Sequence, residues 1–251
     1  MKNKVLIILS CIFFNACSPS NDLQSTFEHV PKKVVEAIAE NLKKDISTLI
    51  EEDYSKVEHL FLSAEMFDDQ DKNAIQMEFL QKMTNLQSLE LSGVEVENIA
   101  QIKFPKNLSS LTISDVHLEN LDFVKNLPSL KMLTISNNQI QDITSVSTLQ
   151  NLTYLAVINN PVRDIGVVQE LPHLERLLLM ETDVSDLTAL ENLQTLTYLD
   201  IRDTKVTSVK PLVSVPGLKY LLLSKKEVKD VHLLSGHKDL KISEQTILEV
   251  E

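Results

Sequence analysis

Aliphatic residues recur along this chain every 22 positions, and that period governs how the rest is read. Leucine stands at Leu86, Leu108, Leu130, Leu152, Leu174, Leu196 and Leu218. Counting each as position 1, positions 4, 6, 11, 14 and 17 are Val, Ile or Leu in all seven copies, which fills 42 of 42 slots. Residues 151–172, NLTYLAVINNPVRDIGVVQELP, are typical, and the block 85–238 has no insertion or deletion between copies. A fixed period of this length marks a stacked repeat and takes precedence over local patterns. Positions 4 and 6 alternate with outward residues, so each copy is expected to give one short strand. The remainder returns through a turn and an extended or 3₁₀ segment. One copy cannot bury six aliphatic side chains by itself. Stacked copies bury them against each other, giving a continuous core behind a parallel sheet.

The flanks depart from this period. Pro31 opens a helical pattern continued by Val34, Ile38 and Leu42, and a further turn or two covers Ile46, Leu49, Ile50 and Tyr54. Residues 27–56 thus form a cap with an apolar inner face and a Lys/Glu-rich outer one. Val57, Leu60 and Leu62 match positions 1, 4 and 6, and the next opening leucine, Leu86, lies 29 residues on. This first copy, 57–84, is seven residues longer than the others, and its extra length predicts a helix over 73–83 with Ile75, Phe79, Leu80 and Met83 inward. After Lys238, Leu240 keeps the phase, while Ser243 and Gln245 stand at core strand slots. Residues 239–251 therefore read as a polar C-terminal cap.

Residues 1–16 carry Lys2 and Lys4, then ten mostly apolar residues, then Asn15-Ala16 before Cys17. Ten residues are too few to span a bilayer as a helix, and the layout is that of a secretory signal. Its end resembles a bacterial lipobox: Ala16-Cys17 matches, although Phe14 stands where an aliphatic residue is usual. The resemblance implies lipidation of Cys17, with ordinary cleavage after Ala16 as the alternative. Ser18 after the cysteine implies outer-membrane sorting. Residues 17–26 read as a lipidated N-terminus and flexible tether.

The pattern L-x-x-L-x-L-x-x-N-x-I resembles the leucine-rich repeat, and the 22-residue length resembles the internalin-type class. The stretch VPKKVVEAIAENLKKDISTLIEEDYSKVEHLFLS is similar to the helical N-terminal cap of that class. The likeness covers roughly residues 27–242. It implies an α/β leucine-rich repeat solenoid, with a curved parallel sheet on the concave face and 3₁₀ or extended segments on the convex face. It also implies a protein-binding role rather than an enzyme.

Charge narrows the partners. The formal net charge is −12, and without Lys2 and Lys4 there are 22 basic against 36 acidic residues. That surplus of acid argues against nucleic acid and anionic headgroups as ligands, so membrane contact is expected only through the lipid anchor. It also suits a monomer. Both cysteines, Cys11 and Cys17, lie ahead of the folded body, which leaves no disulfide framework, thiolate zinc site or cysteine nucleophile within it.

Candidate chemistry is thin. Asp69, Asp71 and Asn73 have the spacing that opens a calcium loop, but its turn glycine and closing glutamate would fall at Ala74 and Leu80. Acidic residues at a helix start are the better reading. Position 13 holds Asn98, Asn120, Asp142, Asp164, Asp186, Ser208 and Asp230, all acceptors for backbone N–H groups at turns. A role repeated in every copy is structural. At position 9, Asn138 and Asn160 match an asparagine ladder, Thr182 and Thr204 do part of that work, Val94 and Val116 cannot, and Lys226 projects outward. The early turns are therefore expected to be held less tightly. His232 and His237 have no third ligand at a useful spacing, and no metalloprotease, serine-hydrolase or phosphate-loop motif occurs. Neither a cofactor, nor a metal, nor catalysis is expected.

The functional signal lies at positions 3, 5 and 7, which project from the concave face free of packing duty. The first two copies show only Ser, Thr and Glu there. From the third copy the face carries Met132, Tyr154, Ile158, Leu178, Met180, Tyr198, Tyr220 and Leu222, with Arg176, Asp200 and Arg202 among them. Tyr, Met and Arg are enriched at protein interfaces, and a contiguous exposed apolar patch marks an interaction site. The expected ligand is a protein: a host receptor, or an envelope partner or toxin in the periplasm. Carbohydrate stacked on the tyrosines is a further possibility.

Overall fold

Aliphatic residues at positions 4 and 6, separated by one outward residue, suit a strand with a single buried face. The computed structural model describes residues 30–67, 77–96, 99–224 and 228–245. Among these the pattern yields nine short strands: β1 His59–Ser63, β2 Ser88–Ser92, β3 Ser110–Ser114, β4 Met132–Ser136, β5 Tyr154–Ala156, β6 Arg176–Leu178, β7 Tyr198–Asp200, β8 Tyr220–Leu222 and β9 Lys241–Ser243. They form one parallel sheet in chain order. Equivalent positions pair, Leu89 with Leu111 and Leu111 with Leu133, and the longer first copy joins with Leu60 opposite Leu89. Every aliphatic residue at positions 1, 4 and 6 from Leu86 to Leu223 is buried. The chain is a leucine-rich repeat solenoid, as its period implies.

Leaving β2 to β7, the chain turns through a left-handed residue at position 8. Gly93, Asp115, Asn137, Asn159, Glu181 and Asp203 all have φ between 48° and 65°. Short polar side chains tolerate this conformation best, after glycine. The convex return is 3₁₀ in each copy, for example Asp122–Asn126, Thr144–Thr148 and Gly166–Glu170. Position 13 starts these turns. The Thr144, Gly166 and Thr188 N–H groups donate to Asp142, Asp164 and Asp186 at 2.7, 2.7 and 2.8 Å. Asn120 and Ser208 accept equivalent bonds at 3.3 Å. Asp230 works differently, accepting from the Ser208 hydroxyl and the Val209 N–H of the preceding copy. Asn98 lies outside the described residues.

Close stacking leaves little slack at Gly217, where an added Cβ would stand 3.0 Å from the Gln194 carbonyl oxygen and 3.3 Å from that of Leu196. Both obstacles are backbone. Gly217→Ala is expected to lose about 1–2 kcal/mol, overpacking outweighing the smaller entropic gain. A urea midpoint at or above that of the parent would refute this.

The N-terminal cap is built from α1 (Lys32–Asn41), preceded by Pro31, and two 3₁₀ turns, Ile46–Thr48 and Glu51–Lys56. Val34, Val35, Ile38 and Ala39 are buried on α1. Of the four apolar residues expected in the next turns, Leu49 and Tyr54 are buried, while Ile46 and Ile50 are 38% and 51% exposed. Burial pushes the Tyr54 phenol upward in pKa, the nearby Glu51 charge adding to it. Asp53, unremarked in the sequence, is fully buried and accepts from Lys44 at 2.7 and 2.8 Å, from Lys56 at 2.8 Å and from the Ile50 N–H at 3.0 Å.

In the long first copy the described part of the expected helix is 3₁₀, Glu78–Lys82, with Phe79, Leu80 and Met83 buried. Ile75 and the calcium-like spacing at Asp69, Asp71 and Asn73 lie outside the described residues, as do the signal, Cys17 and the tether. The C-terminal end requires a correction. Ile242, not Ser243, pairs with Leu221, and Lys241 pairs with Tyr220. The last step is thus 21 residues rather than 22, a slip of one that keeps an aliphatic residue in the core slot and turns Lys241 onto the concave face.

Candidate functional site: the concave face

Parity along the strands places Met132, Tyr154, Arg176, Tyr198 and Tyr220 in one row, laterally paired from β4 to β8. Strands lie about 4.8 Å apart, so these side chains meet. The Arg176 guanidinium sits 4.4 Å from the Tyr198 ring centre and 6.0 Å from that of Tyr154. Tyr198 and Tyr220 are 5.9 Å apart and tilted by 40°. Lys241 adds its ammonium 5.5 Å from the Tyr220 ring. The row is a ladder of aromatic and cationic groups across five adjacent strands, closed by a residue that the 22-residue phase had put elsewhere. Burial raises the pKa of the Tyr154 phenol, with the Arg176 charge opposing.

The second row pairs Ala156, Leu178, Asp200 and Leu222. Arg202 grips Asp200 with Nε and Nη2 at 2.9 and 2.6 Å, and its Nη2 also lies 2.8 Å from the Met180 sulfur. The hydrogen bonds to Asp200 raise the guanidinium's pKa, burial opposing. This bidentate pair is 17% and 2% exposed at its side chains, so its charges compensate each other inside the face.

The expectation that these residues project free of packing holds only in part. Met132 is 45% exposed, and Tyr154, Ile158, Arg176, Leu178, Met180, Arg202 and Tyr220 are partly buried. Tyr198, Asp200, Leu222 and Ala156 are buried. A curved sheet draws together the side chains on its inner face, and long residues at positions 3 and 7 flank the short row between them. Sequence reasoning also missed Phe61 on β1, which is 51% exposed on the same face. The polar β2 and β3 separate it from Met132.

Tyr198 has Arg176 on one side and Tyr220 on the other, so its ring is already committed within the protein. No group of three or more His, Cys, Asp or Glu residues suited to holding a metal occurs among the described residues.

With this geometry in hand, comparison with known proteins identifies the architecture. The crystal structure of internalin C2 from Listeria monocytogenes matches with a TM-score of 0.61 at 22% identity, over 81% of this chain and 96% of that one. A second internalin of the same bacterium, inlF, matches with a TM-score of 0.51 at 16% identity, over 90% of this chain and 98% of that one. The fold is internalin-type. No family model and no curated protein matches the chain, so the likeness is one of architecture. Among the described residues, no helix is long and apolar enough to cross a membrane.

The turns behind this face are held unevenly. Asn138 Oδ1 accepts from the Val116 and Leu118 N–H groups at 3.2 and 3.0 Å, and its Nδ2 donates to the Ile113 and Ser136 carbonyls at 3.2 and 2.7 Å. Asn160 accepts from Ile140 at 3.1 Å and donates to the Ile135 and Ile158 carbonyls. The amide of one copy therefore satisfies the turn of the copy before it. This corrects the reading of Val116, whose own turn is well held because Asn138 follows it. Thr182 and Thr204 donate only to Leu179 and Ile201 in their own copies, and Lys226 lies outside the described residues.

Proposed function

We propose that the chain is an exported, membrane-anchored leucine-rich repeat protein that binds another protein through the concave face of repeats three to seven. The observation that carries this reading is the ladder of Tyr154, Arg176, Tyr198 and Tyr220, pre-ordered by stacking and flanked by the exposed Met132. Side chains already held in one arrangement lose little freedom on binding, and Tyr, Arg and Met are the types that anchor interfaces. The two polar early repeats then act as scaffold. A carbohydrate ligand is less well supported, because the Tyr198 ring is occupied by neighbours from its own chain.

In this reading residues 1–16 are a signal peptide and 17–26 a lipidated tether. Residues 27–56 cap the first core layer, 57–84 are the long first repeat, 85–238 the seven equal repeats, and 239–251 the C-terminal cap. Cys17 carries the lipid and places the protein at the bacterial outer membrane, where it acts by binding and not by catalysis.

Photo-crosslinking residues introduced at Met132 and Leu178, and at convex Val213, test the site. Both concave positions are expected to capture the same protein in living cells, and the convex one nothing. Crosslinking to that protein from Val213 alone would reject the concave face. With the partner in hand, Tyr154→Ala is expected to weaken binding by about 1–4 kcal/mol, read by calorimetry. For the anchor, labelled palmitate should enter the parent chain and not Cys17→Ser.

A further inference from the structure

We propose that the partner meets strands β4 to β6 with an apolar, uncharged protein surface, and that Arg202 is the specificity-determining residue because it masks Asp200 from that surface. This rests on the concave face being the binding site and names the chemistry it takes. Met132 stands 45% exposed on β4, and Tyr154, Ile158, Leu178 and Met180 are half-buried on β5 and β6 or just beyond them. Thr134 and Ser136 add only hydroxyls. Arg176, the cation of β6, is engaged within the chain, stacked 4.4 Å from the Tyr198 ring centre with its Nε buried.

Asp200 is the one acid at positions 3, 5 and 7 from β4 to β8. Its side chain is 2% exposed, and it adjoins Leu178 across the pairing of β6 with β7. Both of its oxygens are taken by a single residue. Arg202 donates Nε to Oδ1 at 2.9 Å, Nη2 to Oδ2 at 2.6 Å and its own backbone N–H to Oδ1 at 3.2 Å. The same Nη2 lies 2.8 Å from the Met180 sulfur, so the grip also holds the apolar residue at the edge of the patch. A bidentate pair of this kind is strong and directional, and it leaves the acid nothing to offer a partner.

A partner that laid a charge over this surface would strip water from it and find no counter-charge in return, which is unfavourable. An apolar surface loses nothing of the kind and gains contact with Met132, Leu178 and Met180. Charges further out do not alter this. Lys241 is exposed on β9, three strand spacings or about 14 Å from β6, beyond the Debye length of about 8 Å at physiological salt. Beyond β4 and β5 the turns carry Asn137 and Asn159, uncharged and bonded to each other at 2.8 Å. Lys131, Glu175 and Glu181 stand exposed at the ends of the strands, where charges of both signs stay hydrated and add little.

The test selects a random peptide library displayed on phage against the intact chain, with Arg202→Gln, Asp200→Asn/Arg202→Gln and Met132→Asp/Tyr154→Asp/Leu178→Asp as comparison proteins, each checked for folding by its thermal transition. The parent should enrich Leu, Ile, Met and aromatic residues with no excess of either charge. The affinity of a selected peptide should change by less than about twofold over roughly a tenfold rise in salt. Arg202→Gln uncovers the Asp200 carboxylate, so its selection should shift towards Lys and Arg, and the parent's peptide should bind it roughly tenfold more weakly. The double variant carries neither charge and should select as the parent does, and it decides the matter if the single variant does not fold. Enrichment of one charge on the parent, lost with the triple aspartate variant, would overturn the uncharged reading and keep the concave site. Selection by a folded Arg202→Gln that matches the parent, or a charge bias in the double variant, would overturn the role of Arg202. If nothing is enriched on the parent above the triple variant, both the site and its chemistry are overturned.

Discussion

Asn138→Val should destabilise the solenoid by about 3 kcal/mol, although valine occupies the same position naturally in two neighbouring copies. The substitution takes their side-chain partner from the Val116 and Leu118 N–H groups and the Ile113 carbonyl, while the Ser136 carbonyl keeps the bond it accepts from the Asp115 N–H. A buried group stripped of its hydrogen bond costs about 1–3 kcal/mol. The loss stays below the sum over these groups because the Ser136 carbonyl keeps one bond and Asn138 retains 8% exposure, enough for water to replace part of what is lost. Asn160→Val should cost less, since only one N–H, that of Ile140, depends on its amide oxygen. Thr182→Val should cost least, its hydroxyl serving one carbonyl in its own copy. Denaturant unfolding gives the ranking, and amide exchange at Val116 and Leu118 locates the effect. Unchanged protection of those two amides in Asn138→Val would show that the ladder does not hold the turn.

That ranking shows what kind of information the sequence contains. The solenoid is legible because its core demands only that six positions per copy be aliphatic, and 22-residue spacing displays this directly. Which turn an asparagine serves is not legible, because the bond crosses to the copy before it. The same distinction applies at the C-terminus. Extending the period by rote puts Ser243 in the core, whereas packing favours Ile242 at the cost of a one-residue slip. The signal was present in the aliphatic residue beside the nominal slot.

For the concave face, strand parity identifies which residues share a side, and Met132, Tyr154, Arg176, Tyr198 and Tyr220 do share one. Exposure is another matter, since it depends on curvature and on lateral contact. Tyr198 and Leu222 are outward by parity and buried in fact. Lys241 joined the row only through the register slip, so its pairing with Tyr220 could not be read from the period.

Asp53 lies in the part of the chain where no repeat assists the reading, and its removal is the second large effect. Asp53→Ala should cost about 2–3 kcal/mol, loosening the cap turns over 44–56 that its bonds hold together. Removing one member of a fully buried ion pair typically costs about 3–5 kcal/mol. Here Lys44 and Lys56 remain 34% and 56% exposed and can rehydrate, which lowers the figure. The pH dependence carries the more specific signature. Burial alone would raise the Asp53 carboxyl, but hydrogen bonds from Lys44, Lys56 and the Ile50 N–H outweigh it and hold the group at about 2, against an ordinary 3.8. A carboxyl depressed in the folded state contributes stability that is complete above the unfolded value and disappears as pH falls through the folded one. The contribution of Asp53 is therefore present above about 3.8 and lost as pH drops towards about 2. Asp53→Asn should flatten the stability profile in that window. It should not abolish the slope, because Glu36, Asp183 and Asp230 are also depressed, and Asp183 by Lys205 first of all. A profile for Asp53→Asn that runs parallel to the parent through the same window would mean that the cap is not held by this carboxylate.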